Sequence, residues 1–118
     1  MSTKTILIDE KQLTERMRIV LRGLKGIGSV TGPGRSGAVA SAFASHLLGV
    51  PFIPFGAKAP THLGKLLIID TARYSGRTLR RAERRYSDCD SVVIACFEEP
   101  PKVAFWYESK FRYKNDRR

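Results

Sequence analysis

Asp70, Ser75, Arg77 and Thr78 fall within one short stretch, LLIIDTARYSGRTL, from residue 66 to residue 79. A carboxylate that closes an apolar run can accept hydrogen bonds from sugar hydroxyls or hold a water of a bound Mg2+. Ser75, Gly76, Arg77 and Thr78 open a helix-forming segment. Their amides, two hydroxyls and the helix dipole converge on one pocket suited to a phosphate monoester. An acid for a sugar and a nest for its phosphate, five residues apart, match a ribose 5-phosphate.

A second turn, GPGRSG from Gly32 to Gly37, satisfies G-x-G-x-x-G between an apolar run and a helical pattern. Glycines let the backbone approach an anion, and helix amides point at it. As a dinucleotide fingerprint the pattern is incomplete. The ribose-binding acid due ~20 residues later is missing from Phe55 to Lys58, where Gly56, Ala57 and Lys58 stand. Lys58 could still accept the 2′-phosphate of NADP, and a merely tight strand-to-helix turn is the other alternative. Arg35 and Ser36, beside the amides, favour an anion site over both.

Such turns need strands and helices to carry them. KTILI, residues 4 to 8, is a short strand or an apolar staple. Asp9 reads as an N-cap with Gln12 as its capping-box partner. Leu13, Met17, Val20, Leu21 and Leu24 predict an amphipathic helix over 10–24. Ile27 to Thr31 reads as a strand, 38–48 as an Ala-rich helix stopped by Gly49, and VPFIPF (50–55) as an extended edge segment. After a loop over 56–65, Leu66 to Ile69 is apolar on both faces, which predicts a central parallel strand. A helix over 76–86, a strand from Ser91 to Phe97 and a last strand from Lys102 to Tyr107 follow. The alternation predicts one three-layer α/β domain over 1–118, with flanking helices and a mostly parallel sheet. Ligands of such sheets gather at the carboxyl ends of the strands, where both turns fall.

The bulk numbers bound the rest. A chain of 118 residues with 42% hydrophobic content can bury a core. No apolar run approaches the ~18 residues of a membrane span, and the N-terminus turns acidic too early for a signal peptide. Two cysteines, Cys89 and Cys96, make no disulfide framework, so a reduced, cytoplasmic protein is expected. Lys plus Arg number 21 against 11 acids, a net charge of +10 that favours anionic partners.

LLIIDTARYSGRTL resembles the phosphoribosyl-diphosphate signature of type I phosphoribosyltransferases: four apolar residues, two acids, then a T-G-x-T-like loop. VTGPGRSG looks like the pyrophosphate loop of that family and LLGVPFIPF like its second strand, so the resemblance spans roughly residues 27 to 100. It implies Asp70 at the ribose hydroxyls and Arg73, Tyr74, Ser75, Gly76, Arg77 and Thr78 around the 5-phosphate. Gly32, Pro33, Gly34, Arg35, Ser36 and Gly37 would hold pyrophosphate with Mg2+, to which Asp70 would contribute. The implied reaction displaces pyrophosphate from C1 of phosphoribosyl diphosphate by a base nitrogen, through an oxocarbenium-like state. Asp70 and Arg35 would be its catalytic side chains, Arg35 neutralising the leaving group.

The chain also departs from that pattern. Thr71 stands where the second acid is expected, and only Gly56 to Lys65 is available as a lid, with Lys58 and His62 as its functional candidates. His62 could touch pyrophosphate or move a proton, but a lone loop histidine reads first as solvent-exposed. His46 reads as structural. Trp106, in Phe105-Trp106-Tyr107, could stack on a base, or the three could simply alternate in and out of a strand. A chain with so little lid could complete its site with a neighbour's loop or tail in a homodimer.

Arg73, Arg77, Arg80, Arg81, Arg84 and Arg85 crowd the second turn and its helix, with Glu83 the one acid among them. They form either a solvated face or a nucleic-acid surface joined by the basic tail KFRYKNDRR, residues 110 to 118. Two functions stay open: base transfer, and a non-catalytic regulator on the same fold that senses a phosphoribosyl ligand or nucleotide and binds nucleic acid.

Overall fold

The computed structural model describes residues 4–108; the basic tail and the first three residues lie outside them. β1 (Ile6–Ile8) leads into α1 (Glu10–Leu21). The start of α1 is closed by its own side chains. The Asp9 carboxyl accepts the Gln12 N–H at 2.8 Å, and the Gln12 carbonyl accepts the Asp9 N–H at 2.8 Å. Leu13, Met17 and Leu21 face the core. The helix stops three residues short of the expected 24: its C-cap Arg22 turns extended (φ −61°, ψ 132°) and Gly23 follows with a left-handed φ of 84°.

Then follow β2 (Ile27–Thr31), α2 (Gly34–Leu48), a 3-10 turn (Thr61–Leu63), β3 (Lys65–Arg73), α3 (Arg77–Arg85), β4 (Ser91–Glu98) and β5 (Val103–Phe105). β2, β3 and β4 form a parallel sheet with β3 in the middle. The expected 50–55 strand shrinks to one parallel bridge, Phe52 beside Val30. Pro51 and Pro54 lack the N–H groups that a longer ladder needs. The last strand does not extend this sheet. β5 pairs in parallel with β1, Ile8 opposite Phe105, as a separate two-stranded sheet.

β3 explains why Leu66 to Ile69 reads as apolar throughout. Leu67 and Ile69 pack with Leu13, Met17, Val30, Ala40 and Ala44, the side of α1 and α2. Leu66 and Ile68 pack with Leu79, Ala82 and Tyr86, the side of α3. With both faces covered, every residue of the run is at most 1% exposed, and truncation to Ala of any of the four would cost about 2–5 kcal/mol. Cys89 and Cys96 are both free thiols. Among the described residues no helix is long and apolar enough to cross a membrane.

Two boundaries move the site. β3 continues past Ile69 to Arg73, because β4 stays alongside it: Asp70 lies opposite Ala95 and Arg73 opposite Glu98. Asp70 therefore sits within the strand instead of closing it. α2 begins at Gly34, not at 38, so four residues of the glycine-rich turn already form the first turn of the helix.

Candidate functional site

Parallel pairing brings the two turns side by side. Thr31 lies opposite Ile68, so the chain leaving β2 passes directly over the residues that precede Asp70. Gly32 is there because nothing larger fits: a Cβ would collide with the carbonyl oxygens of Ile69 and Gly37. Gly37 is equally constrained, its Cβ position facing the backbone of Gly32 and the ring of Pro33. Gly32, Pro33 and Gly37 are thus buried where the turn packs against β3 and the start of α2. Gly34, Arg35 and Ser36 are the part of the turn that reaches outward. Gly34 has a φ of 66° and open space around it. Neither a carboxylate in the first turn nor a side-chain cap occupies the start of α2.

The turn after β3 is built differently. Gly76 takes a φ of 80°, which an L side chain rarely adopts, and turns the chain from strand into α3. The Ser75 hydroxyl accepts the Arg77 N–H at 3.2 Å, and the Ser75 carbonyl accepts from Arg80 Nη1 at 3.2 Å. The first turn of α3 carries no acid. A cavity of about 110 Å³ opens here, lined by Asp70 and the segment from Arg73 to Leu79. Tyr74, Ser75, Arg77 and Thr78 are exposed at its rim. Arg73 is different: its guanidinium pairs with both oxygens of Glu98 on β4, Nε to Oε1 at 3.0 Å. It is the last strand residue, engaged sideways with β4.

Asp70 is 9% exposed and its Oδ1 accepts the Thr71 N–H at 2.8 Å. Burial pushes its carboxyl up to about 6, against the smaller opposing pull of that amide. It is therefore ionised at neutral pH and protonated in mild acid. Thr71 is 2% exposed, and its hydroxyl faces both the Asp70 carboxyl and the Tyr107 hydroxyl. Tyr107 in turn lies 2.9 Å from the Ser36 hydroxyl, and burial raises its own pKa. Ser36 and Tyr107 are thus hydrogen-bonded at the start of α2, and Thr71 and Asp70 at the cavity by α3.

Tyr107 was not singled out from the sequence. The signal was its place two residues from Phe105, which puts both rings on one side; they stack at 5.6 Å with an 11° interplanar angle. Trp106 does not join that stack. Its ring meets Phe43 of α2 edge-on at 6.2 Å and Tyr107 at 5.1 Å, half-buried against the core. The expected lid members fall elsewhere. His62 lies in the 3-10 turn before β3, at the amino ends of the strands and so at the opposite end from Asp70. The segment carrying Lys58 is pinned to the end of α3, where the Tyr86 hydroxyl donates to Ala57 O at 2.8 Å. The Gly56–Lys65 segment does not cover the site.

The fold is that of the type I phosphoribosyltransferases. The chain is similar in structure to a xanthine-guanine-hypoxanthine phosphoribosyltransferase of Helicobacter pylori, with a TM-score of 0.74 and 11% identity over 98% of this chain and 100% of that one. It is similar also to a purine phosphoribosyltransferase of Pyrococcus horikoshii, with a TM-score of 0.68 and 16% identity over 88% and 93% of the two chains. A hypothetical protein of Neisseria gonorrhoeae with bound ppGpp gives a TM-score of 0.68 and 10% identity over 98% and 96%. No protein-family model and no curated protein matches the sequence. The shape is shared with few residues in common.

Proposed function

We propose that the protein binds phosphoribosyl diphosphate across Asp70 and transfers its phosphoribosyl group to a nitrogenous base, releasing pyrophosphate. The observation that carries this reading is the position of one ionisable carboxylate between two helix starts that have no acid of their own. Helix amides without an internal anion favour an external one. The 5-phosphate takes the cavity at Ser75, Gly76, Arg77 and Thr78. Pyrophosphate takes the outward residues Gly34, Arg35 and Ser36. Asp70 accepts hydrogen bonds from the ribose hydroxyls between them. As the C1–oxygen bond breaks, its electron pair leaves with pyrophosphate, and the Arg35 guanidinium and the α2 amides stabilise that charge.

The donor set fits a Mg2+ ion only as a shared one. Among the described residues no cluster of three or more His, Cys, Asp or Glu could hold a metal alone. One carboxylate plus the phosphates of the ligand is a common arrangement for Mg2+, and Asp70 is the residue that would take part. The ion would supply neutralisation of the pyrophosphate charge.

Thr71 favours a second reading. It fills the place of the second acid and is buried with its hydroxyl turned to Asp70 and Tyr107. A site with one carboxylate can bind without turning over, as a sensor of a phosphoribosyl ligand or of a nucleotide such as the ppGpp held by the structural neighbour. One assay separates the two. Pyrophosphate release is followed with phosphoribosyl diphosphate, Mg2+ and a panel of purine and pyrimidine bases. The transferase reading expects release with one base, lost in Asp70→Asn. Tight ligand binding without release for any base removes that reading and leaves the sensor.

A further inference from the structure

The solvent side of α3 is dominated by arginine, with Thr78 and Glu83 its other exposed residues. Leu79 and Ala82, followed by Tyr86, turn inward to the sheet. Arg77, Arg80, Arg81, Arg84 and Arg85 are all exposed, at spacings that place them on one side of a helix. Glu83 stands at the margin, and no carboxylate pairs with any of the five: among the described residues the one ion pair is Arg73 with Glu98. Arg77 and Arg81, Arg80 and Arg84, and Arg81 and Arg85 are like charges four apart, each pair unfavourable to the helix. Two of the five are held in place by backbone carbonyls, Arg80 on Ser75 O at 3.2 Å and Arg85 on Gly56 O at 3.4 Å. Those bonds orient guanidinium forks that still have donors to spare. A surface that repels itself and is partly fixed in position calls for an anion from outside.

Exposed aromatics stand at both ends of this row. Tyr74, 77% exposed, precedes the first turn of α3. Phe55, 40% exposed, is held at the other end by an edge-on contact with Tyr86 at 5.8 Å. The helix between them has nine residues, a span of about 13 Å. Arginines that follow a phosphodiester backbone, with rings on which bases stack, are the means by which proteins hold unpaired strands. A lipid surface fits less well, since the outward side of α3 has no apolar residue to insert.

We propose that the arginine face of α3, flanked by Tyr74 and Phe55, is a binding surface for single-stranded nucleic acid. The surface adjoins the proposed 5-phosphate cavity at Tyr74 and Arg77, but it does not rest on the phosphoribosyl reading, and the arginine variants below leave Arg77 in place. The test uses the full chain and labelled oligonucleotides of mixed sequence, as single-stranded RNA, single-stranded DNA and duplex, together with vesicles containing an acidic phospholipid. Binding is followed by anisotropy, or by co-sedimentation for vesicles, over a range of salt. Five backbone contacts at ~0.7 each give a slope of log affinity against log salt of about −3 to −4 for a single strand. Replacing Arg80, Arg81, Arg84 and Arg85 with Gln should make that slope shallower by about 3.

Arg81→Gln with Arg84→Gln touches no intramolecular bond, so it keeps the test open should the fourfold variant misfold. Its slope should fall by about 1.4, with the circular dichroism spectrum and phosphoribosyl diphosphate binding unchanged. Tyr74→Ala should weaken single-strand binding about tenfold. An unchanged salt slope in either arginine variant overturns the proposal. So does tighter binding to duplex or to acidic vesicles than to a single strand.

Discussion

α1 and α3 begin in opposite ways. At α1, Asp9 and Gln12 satisfy each other's backbone and close the helix end, and the exposed residues that follow mix Glu10, Lys11, Glu15 and Arg18. At α3 the cap is a glycine, the first turn has no acid, and the exposed residues are arginines with only Thr78 and Glu83 among them. Both helices pack an apolar side on the core and need nothing more for folding. The difference lies in what is left unsatisfied. A helix end that supplies its own carboxylate is complete, and one that withholds it has donors to offer a ligand.

The largest effect should come from making α3 resemble α1. Thr78→Asp puts a carboxylate into the first turn of α3, where it competes for the amides that the 5-phosphate needs. Affinity for phosphoribosyl diphosphate should fall about a hundredfold by calorimetry, a loss of about 2.7 kcal/mol. Thermal stability should hold or rise slightly. If affinity is unchanged, the start of α3 is no phosphate site.

Asp70→Asn comes next, and it acts on binding and stability with opposite signs. The folded carboxyl titrates near 6 and the unfolded one near 3.8, so the folded state holds the proton more tightly. Its contribution favours folding below about pH 4 and is lost as pH rises through 6. At neutral pH the buried charge then costs about 2–3 kcal/mol. The Asn variant should match wild type near pH 4 in denaturant melts and exceed it above pH 6, while losing ligand affinity. Wild-type affinity should itself rise as pH passes through 6 and Asp70 ionises. A pH-independent difference between the two proteins would contradict the buried titration.

Smaller effects complete the contrast. Asp9→Ala should cost about 1 kcal/mol of stability, read from denaturant midpoints, and leave ligand affinity alone. Arg73→Gln breaks an exposed pair with Glu98 and should cost under about 1 kcal/mol. It should barely change phosphate binding, since that guanidinium is engaged sideways.

Much of the fold was legible because few residues could do two things. Asp9 with Gln12, the fully apolar Leu66 to Ile69 and the stop at Gly49 each state one local rule, and each element formed. Boundaries set by partners were not legible. β3 runs on to Arg73 because β4 runs beside it, and no local signal announces that. The glycine-rich turn shows the limit most clearly. Gly32 and Gly37 signal a close approach of backbone, but a sequence does not say whether the approaching atoms belong to a ligand or to the protein's own β3 and α2. Tyr107 was missed for a related reason: its hydroxyl matters only because β5 carries it to Ser36, seventy-one residues away. His62 is exposed, as a lone loop histidine reads, but that its turn lies at the amino ends of the strands is a fact of topology, not of local pattern.

The central claim is that one phosphorylated sugar spans two neighbouring helix starts across Asp70. Amide chemical shifts recorded while phosphoribosyl diphosphate and Mg2+ are titrated in test it most directly. The amides of residues 34–36 and 75–78 should move together with one common dissociation constant. Shifts confined to a single turn, or shared equally by the start of α1, would contradict it.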